Sequence, residues 1–474
     1  MTILFQDFET KSRADITKTG HHYYVRHPST RTLMFAYAFD NEKVQQWVPA
    51  EGQKMPRDLR DALRDPKVIK RSWNAPMEMG VWEHVEGEEI RREEWRCTMA
   101  HAMTLSFPGK LEKVGPIVDL PADKQKDARG KALIRKFCIP RKPSVRMPWE
   151  WNTQYTHEED WEDFKFYNRQ DVTTERAIFN RIRGNDLPAH EWEMWLLDQE
   201  INIDGIPINM EVMRRALEYL AHCRDARYRR IKQLTGVENP RSNPQMLEWL
   251  QDQGYRFADL KAGHVKRAAQ DERLSDKTRE VLTLRAEVAK TAPDKFFAME
   301  RSVDPVDHVI RGCFQFAGAP RTWRWSGRII QPQNLARPHP DFEHVQPQLV
   351  HDLEHFDNET LDLLYSKKWK VQGTSEIDML ATAIRPTVQA PKGHKVFSAD
   401  LNAIENRVLG YLAQDQKILD VFRSGRDPYL DFAQYLFDSD YATELARYES
   451  GLKDHRTIGK PGVLGCGYML SAGE

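Results

Sequence analysis

The 474-residue sequence predicts a multidomain α/β protein, and three observations carry that expectation. The length exceeds the ~100–200 residues of an ordinary domain, so more than one core is expected. Residues 1–185 alternate short apolar runs with helical periodicity, from Ile3-Leu4-Phe5 leading into Asp7 to a helical stretch over Asp160–Arg183, the pattern of an α/β unit. Residues 186–310 are instead dominated by long polar helices, and 311–474 return to a mixed pattern with a strand at Lys395–Asp400.

Each part has its own signals. In the second, a helix over Met210–Thr235 carries seven basic residues and is punctuated by Gly205-Ile206-Pro207 and Asn239-Pro240, which makes a helical arm. Such runs commonly form solvated helix faces. Arg285, Lys290 and Lys295 bring further cations together near its end. An acidic helical segment follows over Asp341–Trp369.

Composition narrows the class. With 40% hydrophobic and 30% charged residues the chain can bury real cores, which excludes a disordered chain. No apolar run approaches the ~20 residues of a membrane span, and the N-terminal residues lack a basic, apolar leader, so a cytoplasmic protein is expected. Cys97, Cys138, Cys223, Cys313 and Cys466 are scattered without a C-x-x-C pair, so reduced buried thiols are expected rather than disulfides or a zinc site.

Net charge is −1, so the distribution of charge matters more than its total. From His308 to Pro338 there are five arginines, no Asp or Glu, and the aromatics Phe314, Phe316, Trp323 and Trp325. That composition suits phosphate binding with base stacking, and equally an arginine-rich loop over an apolar cluster.

The first unit carries a carboxylate constellation. Asp7 and Glu9 lie two apart on an apolar strand, so both side chains leave the same face. Glu78, in Asn74-Ala75-Pro76-Met77-Glu78, supplies a third carboxylate, and Tyr167 and Asp171 fall at i and i+4 of one helix. Phosphodiester hydrolysis calls for hard oxygen ligands around two divalent cations roughly 3.5–4 Å apart, which four carboxylates can provide. In this order and context the segment resembles a DEDDy-type 3′→5′ exonuclease, the ribonuclease H-like proofreading domain of family A DNA polymerases. The resemblance implies that Asp7, Glu9, Glu78 and Asp171 hold two Mg²⁺ or Mn²⁺ ions and that Tyr167 orients the attacking water. Glu78 stands where most of the family has Asp.

Downstream, Ser398-Ala399-Asp400 followed by Ile404-Glu405-Asn406-Arg407-Val408-Leu409 resembles motif A of the same family, with a helix beginning near Ile404. Arg456, Lys460, Leu464, Gly465 and Tyr468 match motif B, and their spacing by fours keeps Arg456, Lys460 and Leu464 on one stripe. By resemblance, Asp400 holds the two metals of the polymerase site, Glu405 excludes a ribose 2′-OH, and Arg456, Lys460, Leu464 and Tyr468 meet a deoxynucleoside triphosphate. Leu464 replaces the usual aromatic. Pro461-Gly462 suggests that the motif B helix starts near Pro461, which would set Lys460 at an anion-attracting N-terminus.

Arg321, Arg324, Arg328, Gln333 and Asn334 resemble the family segment that holds primer-template DNA, with Trp323 in place of the usual glycine; this favours DNA as the ligand of the arginine-aromatic stretch. Lys290, Lys295 and Arg407 are assigned to the same DNA. The implied organisation is an exonuclease domain at 1–185, a helical thumb at 186–310, and an incomplete palm and fingers at 311–474. In the family a motif C, His-Asp-Glu, follows motif B; here the nearest match, His351-Asp352-Leu353-Glu354, precedes motif A and reads as an amphipathic helix. The expectation is therefore the N-terminal portion of a phage-type polymerase, at work in the host cytoplasm, with a separate C-terminal fragment as partner. The alternatives are a stand-alone exonuclease, including one acting on RNA, and a non-catalytic primer-template-binding subunit.

Overall fold

The computed structural model describes residues 2–124, 129–145, 147–319, 322–338, 340, 342, 346–371 and 373–467. Arg321 and Tyr468 lie outside them. The chain divides into two compact units, Met1–His394 and Lys395–Glu474.

The first unit opens with a five-stranded mixed sheet of order β3-β2-β1-β4-β5, formed by β1 (Thr2–Lys11), β2 (Arg31–Phe39), β3 (Gln45–Trp47), β4 (Val68–Ser72) and β5 (Trp95–Cys97). β1 runs antiparallel to β2 and parallel to β4, with Asp7 opposite Ala36 and a register shift between Glu9 and Thr10. Alternation along β1 sorts its side chains. Leu4 and Phe8 enter an aromatic core with Phe35, Trp47 and Trp82, where the Phe8 and Trp82 rings meet edge to face at 4.8 Å. Phe5 joins Val172 and Phe179 on the other face. That second face changes from apolar at Phe5 to acidic at Asp7 and Glu9.

The helix over Glu158–Ile182 covers the acidic face. Glu158, Glu159 and Asp160 in its first turn suit the positive end of the helix dipole. Trp161, Phe164, Tyr167, Asn168, Asp171, Glu175, Ile178 and Ile182 form its buried stripe, at the spacing of one helical face. The expectation of a helix over Asp160–Arg183 agrees within its ends. The helix over Ala75–His84, with Pro76 in the first turn, carries Glu78 inward.

Six helices follow between Ala189 and Ser302. The longest spans Met210–Thr235; Asn209 Oδ1 accepts from the amides of Glu211 and Val212 at its start, and Gly236, at φ 70°, closes its end. Three of its arginines pair with carboxylates of neighbouring helices. Arg224 pairs with Asp294 at 2.8 Å, Arg230 with Glu280 at 2.8 Å, and Arg227 bridges Glu287 and Glu376. The basic face that the sequence presents thus ties the arm to its neighbouring helices. Among the described residues no helix is long and apolar enough to cross a membrane.

The second unit contains helices at Ile404–Ala413, Gln416–Arg423, Pro428–Leu436, Tyr441–Glu449 and Asp454–Gly467. Two local expectations are corrected here. Lys395–Asp400 forms no strand; all six residues are exposed and, among the described residues, none pairs in a ladder, without which an extended segment has no hydrogen bonds to fix it. The helix that carries Arg456, Lys460 and Leu464 begins at Asp454, not near Pro461, so Lys460 lies within the helix rather than at its start. Proline there removes one backbone donor. Close seating on the helix over Pro428–Leu436 offsets that loss: Gly459 abuts the Tyr429 carbonyl and Gly462 the Phe432 ring so tightly that neither has room for a Cβ.

Candidate functional site

The fold brings Asp7, Glu9 and Asp171 together, one ligand oxygen of each within 4.8 Å of the others. Two come from β1 and one from the helix laid across it. Glu78 lies outside that triad of close oxygens, yet it is 5% exposed and feels the charge of Asp7. Burial first, and then Asp7, hold the Glu78 carboxyl well above the usual carboxylate range. Its Oε2 is buried with no hydrogen-bond partner.

These residues fit a hard divalent cation. The donors are carboxylate oxygens, and a cation would relieve both the mutual repulsion and the unsatisfied Glu78 oxygen. Tyr167 stands one turn before Asp171 with 1% of its surface exposed; its ring stacks on Phe164 at a centroid distance of 6.1 Å, and Phe164 stacks on Phe137 at 5.4 Å. Gly130 packs so closely on the Tyr167 ring that a Cβ there would collide with it. Burial and the neighbouring carboxylates, Asp171 foremost, drive the phenol's pKa far upward, so it stays protonated.

Three polar neighbours were not identified from sequence. Asn168 donates from Nδ2 to Asp7 Oδ2 at 2.9 Å and to the Asp7 carbonyl at 3.1 Å, and its Oδ1 accepts from Gln46 Nε2 at 2.9 Å, so it orients the first carboxylate. Its signal was a polar residue on an otherwise sheet-facing stripe. Glu175, one turn past Asp171, accepts from Thr98 Oγ1 at 2.6 Å and is pushed up to about 8, chiefly by burial. Cys138 places Sγ 3.9 Å from Glu9 Oε2, and burial pushes its thiol far up. Cys97, Cys138, Cys223 and Cys313 are all buried and free, as expected of reduced thiols.

The residues assigned to DNA in the first unit divide. Lys290 is engaged by Asp378 at 2.5 Å, and Lys295 is half-buried. Arg328 bonds Gln315 and the Gly327 carbonyl, and Asn334 donates to Gln331 at 3.2 Å. Trp323, Arg324 and Gln333 are exposed. Trp323 has φ 55°, a left-handed conformation that glycine adopts without strain. Trp325 donates to Asp198 at 2.7 Å, and burial holds that carboxyl up at about 6. Asp352 of the His351–Glu354 segment is 1% exposed on the helix Gln346–His355, accepting from Gln348 at 2.6 Å, the arrangement of a structural helix.

In the second unit, Glu405 and Leu464 line one groove of about 360 Å³ with Ile404, Leu409, Leu412 and Val463. Arg456 forks onto Asp427 Oδ2 at 3.0 and 2.8 Å and lies over the Tyr429 and Tyr448 rings. Arg407 lies over Phe422 at 4.2 Å, while Asp400 and Lys460 are exposed. The two segments that resemble motifs A and B are therefore adjacent at Glu405 and Leu464, and among the described residues Asp400 belongs to no carboxylate group of the kind seen around Asp7.

No family model matches the chain. The DNA polymerase of Bacillus phage SP02 is 35% identical over 446 residues, which cover 92% of this chain and 65% of that protein. The chain thus spans just under two thirds of the length of this relative. Among solved structures, the POL domain of Pol1 from M. smegmatis, in complex with DNA primer-template and dNTP, is similar with a TM-score of 0.54 at 14% identity, over 99% of this chain and 68% of that one. At that identity the likeness is one of fold.

Proposed function

We propose that this homologue of a phage DNA polymerase is a family A enzyme whose first domain is a 3′→5′ proofreading exonuclease. The observation that carries the nuclease reading is the convergence of Asp7, Glu9 and Asp171 to within 4.8 Å on a sheet of order β3-β2-β1-β4-β5. The sheet order and the helix laid across β1 support a ribonuclease H-like domain over 1–185, followed by a thumb over 186–310 and palm and fingers residues over 311–474.

In this reading Asp7, Glu9, Asp171 and Glu78 hold two divalent cations, Mg²⁺ or Mn²⁺, whose bound chemistry is to activate water and stabilise the leaving 3′ oxygen. Asn168 fixes the Asp7 carboxylate toward that site. Tyr167, kept as a phenol by its neighbours, positions the attacking water with its hydroxyl. The longer arm of Glu78, relative to Asp, sets one cation less tightly.

Asp400, Glu405, Arg456, Lys460 and Leu464 contribute motifs A and B of a polymerase site that takes primer-template DNA and deoxynucleoside triphosphates. The shared groove of Glu405 and Leu464 supports this assignment. Arg324 and Arg328, both exposed, are the arginines of the arginine-aromatic stretch that would meet phosphates. The test of the nuclease assignment is hydrolysis of a 5′-labelled single strand with Mg²⁺ or Mn²⁺: stepwise shortening from the 3′ end is expected of the wild type and not of Asp7→Ala.

A further inference from the structure

Beside the acid cluster lies a segment that the nuclease reading leaves without a task. Between Arg135 and His157 the chain has five Lys and Arg against one carboxylate, Glu150, together with Phe137, Trp149, Trp151 and Tyr155. Trp149 is 48% and Tyr155 87% exposed. Exposing a Tyr and a Trp within seven residues of each other on a basic segment forgoes burial that aromatic rings usually obtain.

The segment is built rather than loose. Arg13 forks onto Glu150 at 2.8–3.1 Å. The Arg141 amide donates to the Glu150 carbonyl at 2.9 Å, and its guanidinium to the carbonyls of Met147 and Trp149 at 3.0 and 3.2 Å. Asn152 and Gln154 donate to the Lys136 and Ala50 carbonyls, each at 2.8 Å.

Its root reaches the acid cluster. Cys138 is 3.9 Å from Glu9, and Phe137 is the outer ring of the stack that ends on Tyr167. Lys11, two residues past Glu9 on β1 and so about 7 Å along the strand, lies over the Trp151 ring at 5.1 Å. Basic charge and open ring faces therefore continue outward from the place where a strand's 3′ end would be cut.

We propose that residues 138–145 and 147–157 form a platform that holds single-stranded DNA upstream of the scissile bond, with unpaired bases stacking on Trp149 and Tyr155 and phosphates meeting Lys11 and Lys142. This rests on the exonuclease reading. The occupant is single-stranded because ring faces stack on bases that a duplex keeps stacked on each other. A DNA strand, rather than a protein, fits exposed ring faces set beside Lys11 and the exposed Lys142, with Glu150 already engaged by Arg13.

The 474-residue chain is compared with Trp149→Ala/Tyr155→Ala, both exposed positions whose loss leaves the core intact. The ratio of hydrolysis rates on a 12-nucleotide strand and a trinucleotide, both subsaturating, is expected to fall about thirtyfold or more in the double variant, since each ring contributes through a stacked base. In an Asp7→Ala background, anisotropy of a fluorescent 12-mer without divalent metal should show a similar loss of affinity. An unchanged length ratio together with unchanged anisotropy overturns the platform, and so does an equal loss of rate on the trinucleotide and the 12-mer. If the wild type hydrolyses neither strand, the exonuclease reading fails, and the anisotropy arm alone decides whether the platform binds DNA.

Discussion

The two acidic sites of this chain are built to different degrees. Around Asp7 everything is in place: the strand, the helix that covers it, a buried asparagine that aims the carboxylate, and an aromatic stack behind Tyr167. Around Asp400 there is an exposed, unladdered segment and a groove formed by Glu405 and Leu464. The difference teaches that a carboxylate cluster can be preassembled only where neighbouring elements absorb its repulsion. At Asp7 the sheet and helix do so, and the raised pKa of Glu78, set first by burial and then by the charge of Asp7, shows how far the same packing shifts a neighbouring carboxyl.

If that contrast is right, the largest effect belongs to the acid cluster. Asp7→Ala should lower single-strand hydrolysis by about a thousandfold or more, because it removes a ligand from a site where charge stabilisation supplies several kcal/mol. Its thermal unfolding should stay close to wild type, since one member of a repelling cluster is gone. Asp400→Ala should leave the same hydrolysis within about twofold, as expected of an exposed side chain outside the nuclease site.

Tyr167→Phe keeps the stack on Phe164 but removes the hydroxyl, and should cost about a hundredfold in turnover with little change in KM for the strand. Gly130→Ala acts on the same residue from behind. It drives a methyl into the Tyr167 ring and should destabilise the domain by roughly 1–3 kcal/mol, visible as a lower midpoint in urea and a lower turnover.

Away from both sites, stability itself should depend on pH. Asp198 is 4% exposed and raised from 3.8 to about 6, so the folded state holds its proton longer than the unfolded chain does. Its contribution to stability is fully present below pH 3.8 and is lost as pH rises through about 6, a change of about 2–3 kcal/mol. Asp198→Asn, which can still accept from Trp325, should flatten the decline of urea stability between pH 4 and 6. An unchanged slope would assign the decline to other groups.

Much of the acid cluster was legible in the sequence, because strand alternation at Asp7 and Glu9 and helical spacing at Tyr167 and Asp171 are local rules that tertiary packing preserves. The long helix over Met210–Thr235 and the helix start at Ile404 were legible for the same reason. Other features depend on partners distant in sequence. Asn168 gains its role only when β1 lies beneath it, and the arginines of the arm find carboxylates about 50–150 residues away. The strand at Lys395–Asp400 failed because a strand is a pairing and not a propensity. The helix through Pro461 held because glycines on its buried side allow close packing.

The central claim is that Asp7, Glu9, Glu78 and Asp171 form a metal-dependent 3′ nuclease. Its most direct test is to incubate the 474-residue chain and its Asp7→Ala variant with a 5′-labelled single strand, with and without Mg²⁺, and resolve the products by length. The account predicts a metal-dependent ladder shortening one nucleotide at a time in the wild type and an intact strand in the variant. An intact strand in the wild type with Mg²⁺ and with Mn²⁺, or equal degradation by the variant, would contradict it.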